Sequence, residues 1–355
     1  MRSVLLAGGI ALLGTLLGTR YAIRFLVKQG YGQFIRDDGP TSHHTKRGTP
    51  TMGGIVIIIS VLLAYTVAHL VTWTEPTATS VLALGLFAGL GLVGLADDWI
   101  KISKARSLGL HAWAKFGLQT GLAVAFAILA FQFPDARGLT PASVYISFLR
   151  DLPWFQLPIW LAVVWVVFLV ASWSNAANLT DGLDGLATGA AAMAFAAYTF
   201  VNVWQYNQSC AWSSAGPQCY EVRNPHDLAV VSMALAGACF GFLWWNASPA
   251  KIFMGDTGSL AIGGAIAAMS VLTRTELLMP IIAGLFVIIT ASVVLQVGWF
   301  KLTKGKRLFK MAPLQHHFEL LGWAEITITI RFWIIAGLCA AAGIGIFYAE
   351  WVVGQ

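Results

Sequence analysis

Asp97 and Asp98 stand side by side where an oily run, "GLVGLADDWIK", comes to its end. Two carboxylates about 4 Å apart repel by roughly 4 kcal/mol at an effective dielectric near 20, so a cation has to stand close by. On a helix, consecutive residues point about 100° apart, which lets the two side chains serve different neighbours around one cationic centre. A hard divalent cation or a lysine would supply that centre. Mg²⁺ typically takes one or two carboxylates and leaves its other positions to phosphate oxygens. The plainer reading is an interfacial helix end neutralised by Lys101 and Lys104.

Further polar groups recur at similar boundaries. "NLTDGLDGLA" places Asp181 and Asp184 at i and i+3, one face of a helical turn, with Asn178 three residues earlier on the same side. A helix cap such as Thr180 or Asp181 needs a single polar residue, and this stretch supplies more than that. In "FMGDTGSL", Asp256 opens an apolar run, where it either caps the helix or holds a metal beside a phosphate. "KMAPLQHHFELLGWAE" offers His316 and His317 in a loop, just after Lys301, Lys304, Lys306, Arg307 and Lys310. Histidine changes charge near neutral pH and donates to phosphate oxygens. The stretch 301–310 reads equally as a basic amphipathic segment lying on anionic membrane lipid. "TSHHTKRGTPTMGG" adds His43, His44, Lys46 and Arg47, and Lys115 marks the mouth of another apolar run. His69 and His226 fall elsewhere and read as structural. No Walker A loop, Rossmann glycine pattern or Ser-His-Asp arrangement is present. Carboxylates, lysines and histidines in this combination suit phosphoryl transfer, with Mg²⁺ neutralising a diphosphate.

The elements that must position these groups are membrane helices. Of 355 residues 57% are hydrophobic and 11% charged, against roughly 25% charged in soluble domains. Runs long enough to cross a bilayer, about 20 residues each, fall near 3–19, 52–74, 78–96, 116–133, 155–173, 185–204, 228–247, 257–273, 277–300 and 326–349. The expectation is one all-α polytopic membrane domain over 1–355 with about ten transmembrane helices. Lys and Arg crowd the segments 20–50, 97–115, 246–258 and 301–325, whereas the alternate loops carry only Arg137, Arg150, Arg223 and Arg274. That asymmetry puts the basic loops in the cytoplasm and both termini outside. The net charge of +6 therefore reports topology and anionic partners at the inner surface, and nucleic acid is not implied. The acids of the inward loops avoid the middle of every span, which argues against an ion-coupled transporter. Cys210 and Cys219 share one outward loop, either as a disulfide or as two free thiols.

At these residues the chain resembles a known family. "HHTKRGTPTMGG", "DDWIK", "SNAANLTDGLDGLA", "FMGDTGSLA" and "MAPLQHHFELLGWAE" are similar to the motifs of the phospho-N-acetylmuramoyl-pentapeptide-transferases, within the polyprenyl-phosphate N-acetylhexosamine-1-phosphate transferase superfamily. The likeness covers almost the whole chain. It implies a bacterial cell-membrane enzyme of cell-wall (peptidoglycan) synthesis that needs Mg²⁺. Such an enzyme moves phospho-N-acetylmuramoyl-pentapeptide from UDP-MurNAc-pentapeptide to undecaprenyl phosphate, giving lipid I and UMP. It also implies a homodimer, since dimers are common in such families. By the same resemblance Asp256 matches the magnesium-binding aspartate, with Asp181 as a further metal candidate, and Asp97 and Asp98 match an essential pair. Lys115, Asn178, Asp181 and Asp184 fall at a nucleotide pocket. His316 and His317 match two of the three histidines usual in the last cytoplasmic loop, with Gln315 in place of the first, where no proton can be carried. The alternatives are a sister enzyme that moves N-acetylglucosamine 1-phosphate and, from another class, a transporter or flippase. A one-step attack by the lipid phosphate and a two-step path through a covalent aspartate both fit these residues.

Overall fold

A chain with this composition satisfies its backbone polar groups in lipid by coiling each apolar run into a helix. The computed structural model describes residues 1–32, 48–104, 109–213, 216 and 218–353. Ten of its helices are long and apolar enough to cross a membrane. In chain order the elements are α1 (Arg2–Lys28), α2 (Gly54–Thr72), α3 (Ala78–Ser103), α4 (Ala112–Ala130), β1 (Tyr145–Ser147), β2 (Asp151–Gln156), α5 (Ile159–Thr180) and α6 (Leu186–Asn207). They continue with α7 (Pro225–Asn246), α8 (Gly255–Leu272), α9 (Met279–Ile282), α10 (Gly284–Leu302), α11 (Leu314–Glu319) and α12 (Glu325–Val353).

The helix α8 runs through the centre, and nearly all of its residues are buried. Ten of its eighteen residues are Gly, Ala or Ser, so neighbours approach its backbone closely at those positions. A Cβ at Gly263 would stand 2.5 Å from the Ser174 Cα on α5, and one at Gly258 only 3.0 Å from the Gly54 Cα on α2. At the periphery, large side chains such as Leu5, Leu13 and Leu17 on α1 and Leu63 and Leu70 on α2 face outward, as lipid-facing positions should.

Helices α1 and α3 run past the expected ends, to Lys28 and Ser103, and three other differences from the sequence expectation have a local reason. The run expected from 155 begins as a helix only at Ile159, because residues 151–156 form the second strand of an antiparallel hairpin. Pro153 and Pro158 suit an edge strand and a helix start respectively, and Pro158 stands at the N-cap of α5. The run expected at 277–300 is divided into α9 and α10 at Ala283, with φ −96° and ψ 34°. Gly284, next in the chain, sits so close against Cys339 of α12 that an added Cβ would be 2.7 Å from its Sγ. His316 and His317, expected in a loop, lie on the short helix α11.

The two ends of the bundle have different chemistry. One end carries the chain termini: the Met1 amine is 3.3 Å from His226 Nε2 at the start of α7, and Glu350 near the end of α12 pairs with Arg150 at 3.2 Å. Arg150 also donates to the carbonyls of Cys219 and Gln218. Cys210 and Cys219 form a disulfide, which settles the choice left open by the sequence. At this same end, Asp227 in the first turn of α7 gathers three helices. Its Oδ2 accepts from Tyr65 (3.0 Å), Ser80 (2.5 Å) and both the backbone and hydroxyl of Thr77, while Oδ1 stands 2.9 Å from His69 Nε2. His69 is thus structural, as its position suggests. The start of α8 lies at the opposite end, and that is where the polar motifs converge.

Candidate active site

The site is built where α3 ends and α8 begins. Asp97 and Asp98 are each only 3% exposed, so their charges must be paired within the protein. The 100° rotation between them sends each to its own partners. Asp98 reaches the first turn of α8: Oδ1 accepts from the Asp256 N–H (3.2 Å), and Oδ2 accepts from the N–H and hydroxyl of Thr257 (2.9 and 2.7 Å). It therefore caps α8 from another helix, satisfying N–H groups that have no partner within α8 and placing a negative charge at its positive end. Asp97 turns toward the segment after α3, where Oδ1 accepts from the Leu110 N–H at 2.8 Å. Gly255 makes the approach possible. It holds φ +72°, and a side chain there would start 2.5 Å from Asp98 Oδ2.

Asp256 is not a cap for its own helix. Its Oδ1 accepts from Asn178 Nδ2 of α5 at 2.7 Å, and its Oδ2 accepts from Lys115 of α4 at 2.6 Å and from Lys101 at 2.8 Å. Asn178 donates again to Ser259 Oγ, one turn further along α8. Lys101 also stands 2.6 Å from Asp97 Oδ2. Carboxylate oxygens of Asp97, Asp98 and Asp256 all lie within 4.8 Å of one another. Such a donor set, all hard oxygens from three residues with lysines beside it, fits a divalent cation such as Mg²⁺ that shares its remaining positions with phosphate.

Asp181 lies outside that three-carboxylate group. It is the C-cap of α5, its N–H still donating to the Ala177 carbonyl, so it keeps the helical register of Asn178, but the chain leaves the helix there and the expected helical turn from Asp181 to Asp184 does not form. Burial, followed by the neighbouring charges of Asp256, Asp98 and Asp184, pushes its carboxyl up to about 8. Asp184 is buried, and its Oδ2 accepts from the Ala250 N–H at 3.0 Å, while its own N–H donates to Glu325 Oε1 at 2.9 Å. It thereby ties the loop that precedes α8 to the start of α12.

The loop 181–185 also meets α11. A Cβ at Gly182 would lie 2.7 Å from Gln315 Nε2 and 3.1 Å from His316 Nε2. Gln315 is buried and donates to the Leu179 carbonyl at 3.0 Å, an anchoring bond that needs no titratable group. His316 Nδ1 is 2.6 Å from Glu319 Oε2, which orients the ring. His317 Nδ1 accepts from the Lys310 N–H at 3.1 Å and ties the basic segment to α11. His43, His44, Lys46 and Arg47 lie outside the described residues. The described remainder of their motif pairs with the approach to α8, with Phe253 N–H donating to Pro50 O and Gly54 N–H to Met254 O.

Residue type and spacing do not single out Thr257, Ser259, Glu319 or Glu325, whose partners are remote in sequence or ordinary in type. Lys101 does carry a signal. It lies four residues after Asp97 and three after Asp98, the spacings of helical ion pairs.

The sequence matches the model of a known family and a signature within it. The model of glycosyl transferase family 4 matches residues 78–274, and signature 1 of the phospho-N-acetylmuramoyl-pentapeptide-transferases matches residues 46–58. The chain is 64% identical to the phospho-N-acetylmuramoyl-pentapeptide-transferase of Cutibacterium acnes over 356 residues, covering 100% of both chains. It is 60% identical to that of Kineococcus radiotolerans, again over 100% of both, and 58% identical to that of Streptomyces avermitilis over 99% of both.

Proposed function

The chain belongs to the phospho-N-acetylmuramoyl-pentapeptide-transferase family, and on that premise we propose that it moves phospho-N-acetylmuramoyl-pentapeptide from UDP-MurNAc-pentapeptide to undecaprenyl phosphate, at the cytoplasmic face of a bacterial cell membrane. In the reaction, an oxygen of the lipid phosphate forms a bond to the β-phosphorus of the donor. The bond from that phosphorus to the oxygen bridging to the α-phosphate breaks, and UMP leaves. Lipid I remains in the membrane. The observation that carries this reading is the convergence of Asp97, Asp98 and Asp256 with Lys101, Lys115 and Asn178 at one end of the bundle.

Asp97, Asp98 and Asp256 are the residues that would hold Mg²⁺, which when bound supplies charge neutralisation for the diphosphate. Lys115 would steady the donor phosphates, and Asn178 keeps Asp256 aimed by holding one of its oxygens. Asp181 and Asp184 line the approach from α5, and His316, oriented by Glu319, would donate to the departing phosphate from α11. His317, His43, His44 and Lys46 are proposed to contact the substrate. Direct attack is favoured over a covalent aspartate. Each of the three carboxylates already accepts from a backbone N–H or faces an ammonium group, which makes it a poor nucleophile. We read this end as cytoplasmic and both termini as outside, a reading supported by the charge rule for membrane loops.

Release of UMP from the purified protein with both substrates tests the proposal. Asp256→Asn is expected to abolish it while the protein still inserts and purifies, and normal turnover in that variant would remove Asp256 from the site. Turnover with UDP-GlcNAc as donor would point to the sister enzyme, and lipid movement without UMP would point to a flippase.

A further inference from the structure

Lys101 occupies an unusual place for a surface-end lysine. Its Nζ stands 2.6 Å from Asp97 Oδ2, 2.8 Å from Asp256 Oδ2 and 3.6 Å from Asp98 Oδ1. Those three side chains are the same three whose oxygens lie close enough together to share a metal ion. One ammonium group thus sits among the whole donor set. Lys115 differs: it is 2.6 Å from Asp256 Oδ2 but 3.8 Å from Asp97 Oδ2, so it engages the rim of the cluster.

We propose that Lys101 is the site's resident cation, which holds the three carboxylates together and has to leave them before a divalent ion can be held there, so that it sets the affinity for the metal. This rests on the reading of Asp97, Asp98 and Asp256 as metal ligands. The physical grounds are threefold. Two buried carboxylates and a half-buried third repel one another unless a cation is among them, and the α3 helix itself provides one at i+4 and i+3. An ammonium and a divalent ion cannot occupy the same few ångströms, because their mutual repulsion adds to the loss of the oxygens they would share. Lys101 also has a way out. Its side chain is 28% exposed, against 3–4% for Asp97 and Asp98, and its flexible stem carries a compact, strongly hydrated charge that is at home in water.

The test is Mn²⁺ binding, followed by electron paramagnetic resonance, to the detergent-purified full chain without either substrate. Lys101→Met removes the competitor and is expected to tighten Mn²⁺ binding by about tenfold or more. Lys101→Arg keeps the charge, and with it the neutralised cluster. Its planar fork grips carboxylates in pairs, so it is expected to weaken binding. Opposite shifts in the two variants are the signature of a resident competitor. Unchanged affinity in Lys101→Arg, or unchanged or weaker affinity in a folded Lys101→Met, overturns the inference while leaving the metal site standing, provided Asp256→Asn loses the ion. If wild type binds no more Mn²⁺ than Asp256→Asn does, the assignment of the carboxylates as ligands falls, and the role of Lys101 with it.

Discussion

Replacing Gly94 by alanine alters no polar group, yet it should disable the site. Gly94 lies on α3 one turn before the aspartate pair, where α3 crosses the first turn of α8. A Cβ at position 94 would lie 2.6 Å from the Thr257 nitrogen and nearer still to the Asp256 carbonyl. Real Cβ contacts do not fall under 3.0 Å, so the difference requires a retreat of at least 0.4 Å, and more on the carbonyl side. Both obstacles are backbone and cannot rotate away. The bonds that stretch are those from Asp98 to Asp256 and Thr257, now 2.7 to 3.2 Å. A misplacement of about 1 Å in a catalytic arrangement costs roughly 10²-fold in rate. Half of that displacement puts the expected loss in kcat near tenfold or above, with overpacking costing a further 1–3 kcal/mol or so of stability. UMP release measures the rate, and the thermal midpoint in detergent separates it from unfolding. Gly85→Ala on the same helix is the control, since nothing lies within 4 Å of its added Cβ. A Gly94→Ala enzyme with wild-type kcat would refute the idea that close helix contact sets the position of Asp256.

Two further outcomes concern the opposite end of the bundle. Asp227→Ala leaves Tyr65, Thr77, Ser80 and His69 facing a vacated position. Leaving buried donors unsatisfied costs about 1–3 kcal/mol each, so the thermal midpoint should fall by several degrees while UMP release per folded molecule stays constant. Glu276 is fully enclosed beside the hairpin, where burial holds its carboxyl up at about 8 against an ordinary value near 4.5. The unfolded chain loses that proton as pH rises through its ordinary range, whereas the folded chain keeps it until about 8, so this group lowers stability progressively between those values. Glu276→Gln, which can still accept from the Ser147 N–H, should gain in midpoint relative to wild type as pH goes from 5 to 8. A difference that does not change with pH would mean that Glu276 is ionised in the fold.

The spans, the polar end and most of the site were legible because their signals are local. Apolar run length marks ten helices, and the carboxylates stand out because charges are rare in this composition. What could not be read was set by partners far along the chain. Asp98 looks like a ligand by type, but its cap on α8 spans 158 residues of sequence. Asp184 looks like part of a nucleotide pocket, but its carboxylate holds the Ala250 N–H. Gln315 looks like a lost histidine, yet its amide serves the Leu179 carbonyl, a bond for which glutamine is sufficient. The β-hairpin was hidden because "DLPWFQ" carries on the apolar character of the helix after it, and only its prolines mark the change.

The adjacency of Asp97 and Asp98 follows from the number of things α3 has to hold at its end. Helix α8 enters the site with Met254 at its N-cap, whose side chain makes no capping hydrogen bond. Its glycines let it sit against α2, α3 and α5. The cap has to come from a neighbour, and Asp98 supplies it. The segment leading into α4 needs anchoring at the same level, because Lys115 must reach Asp256 from there, and Asp97 supplies that through the Leu110 N–H. One carboxylate could not face both directions, whereas two consecutive residues on a helix do so without any bend in the backbone. The electrostatic cost of placing them together is offset by Lys101, one turn later on the same helix. Position and charge are therefore solved by the same five residues of α3, which is why a motif that looks like a pure metal signature also carries the architecture that aims Asp256.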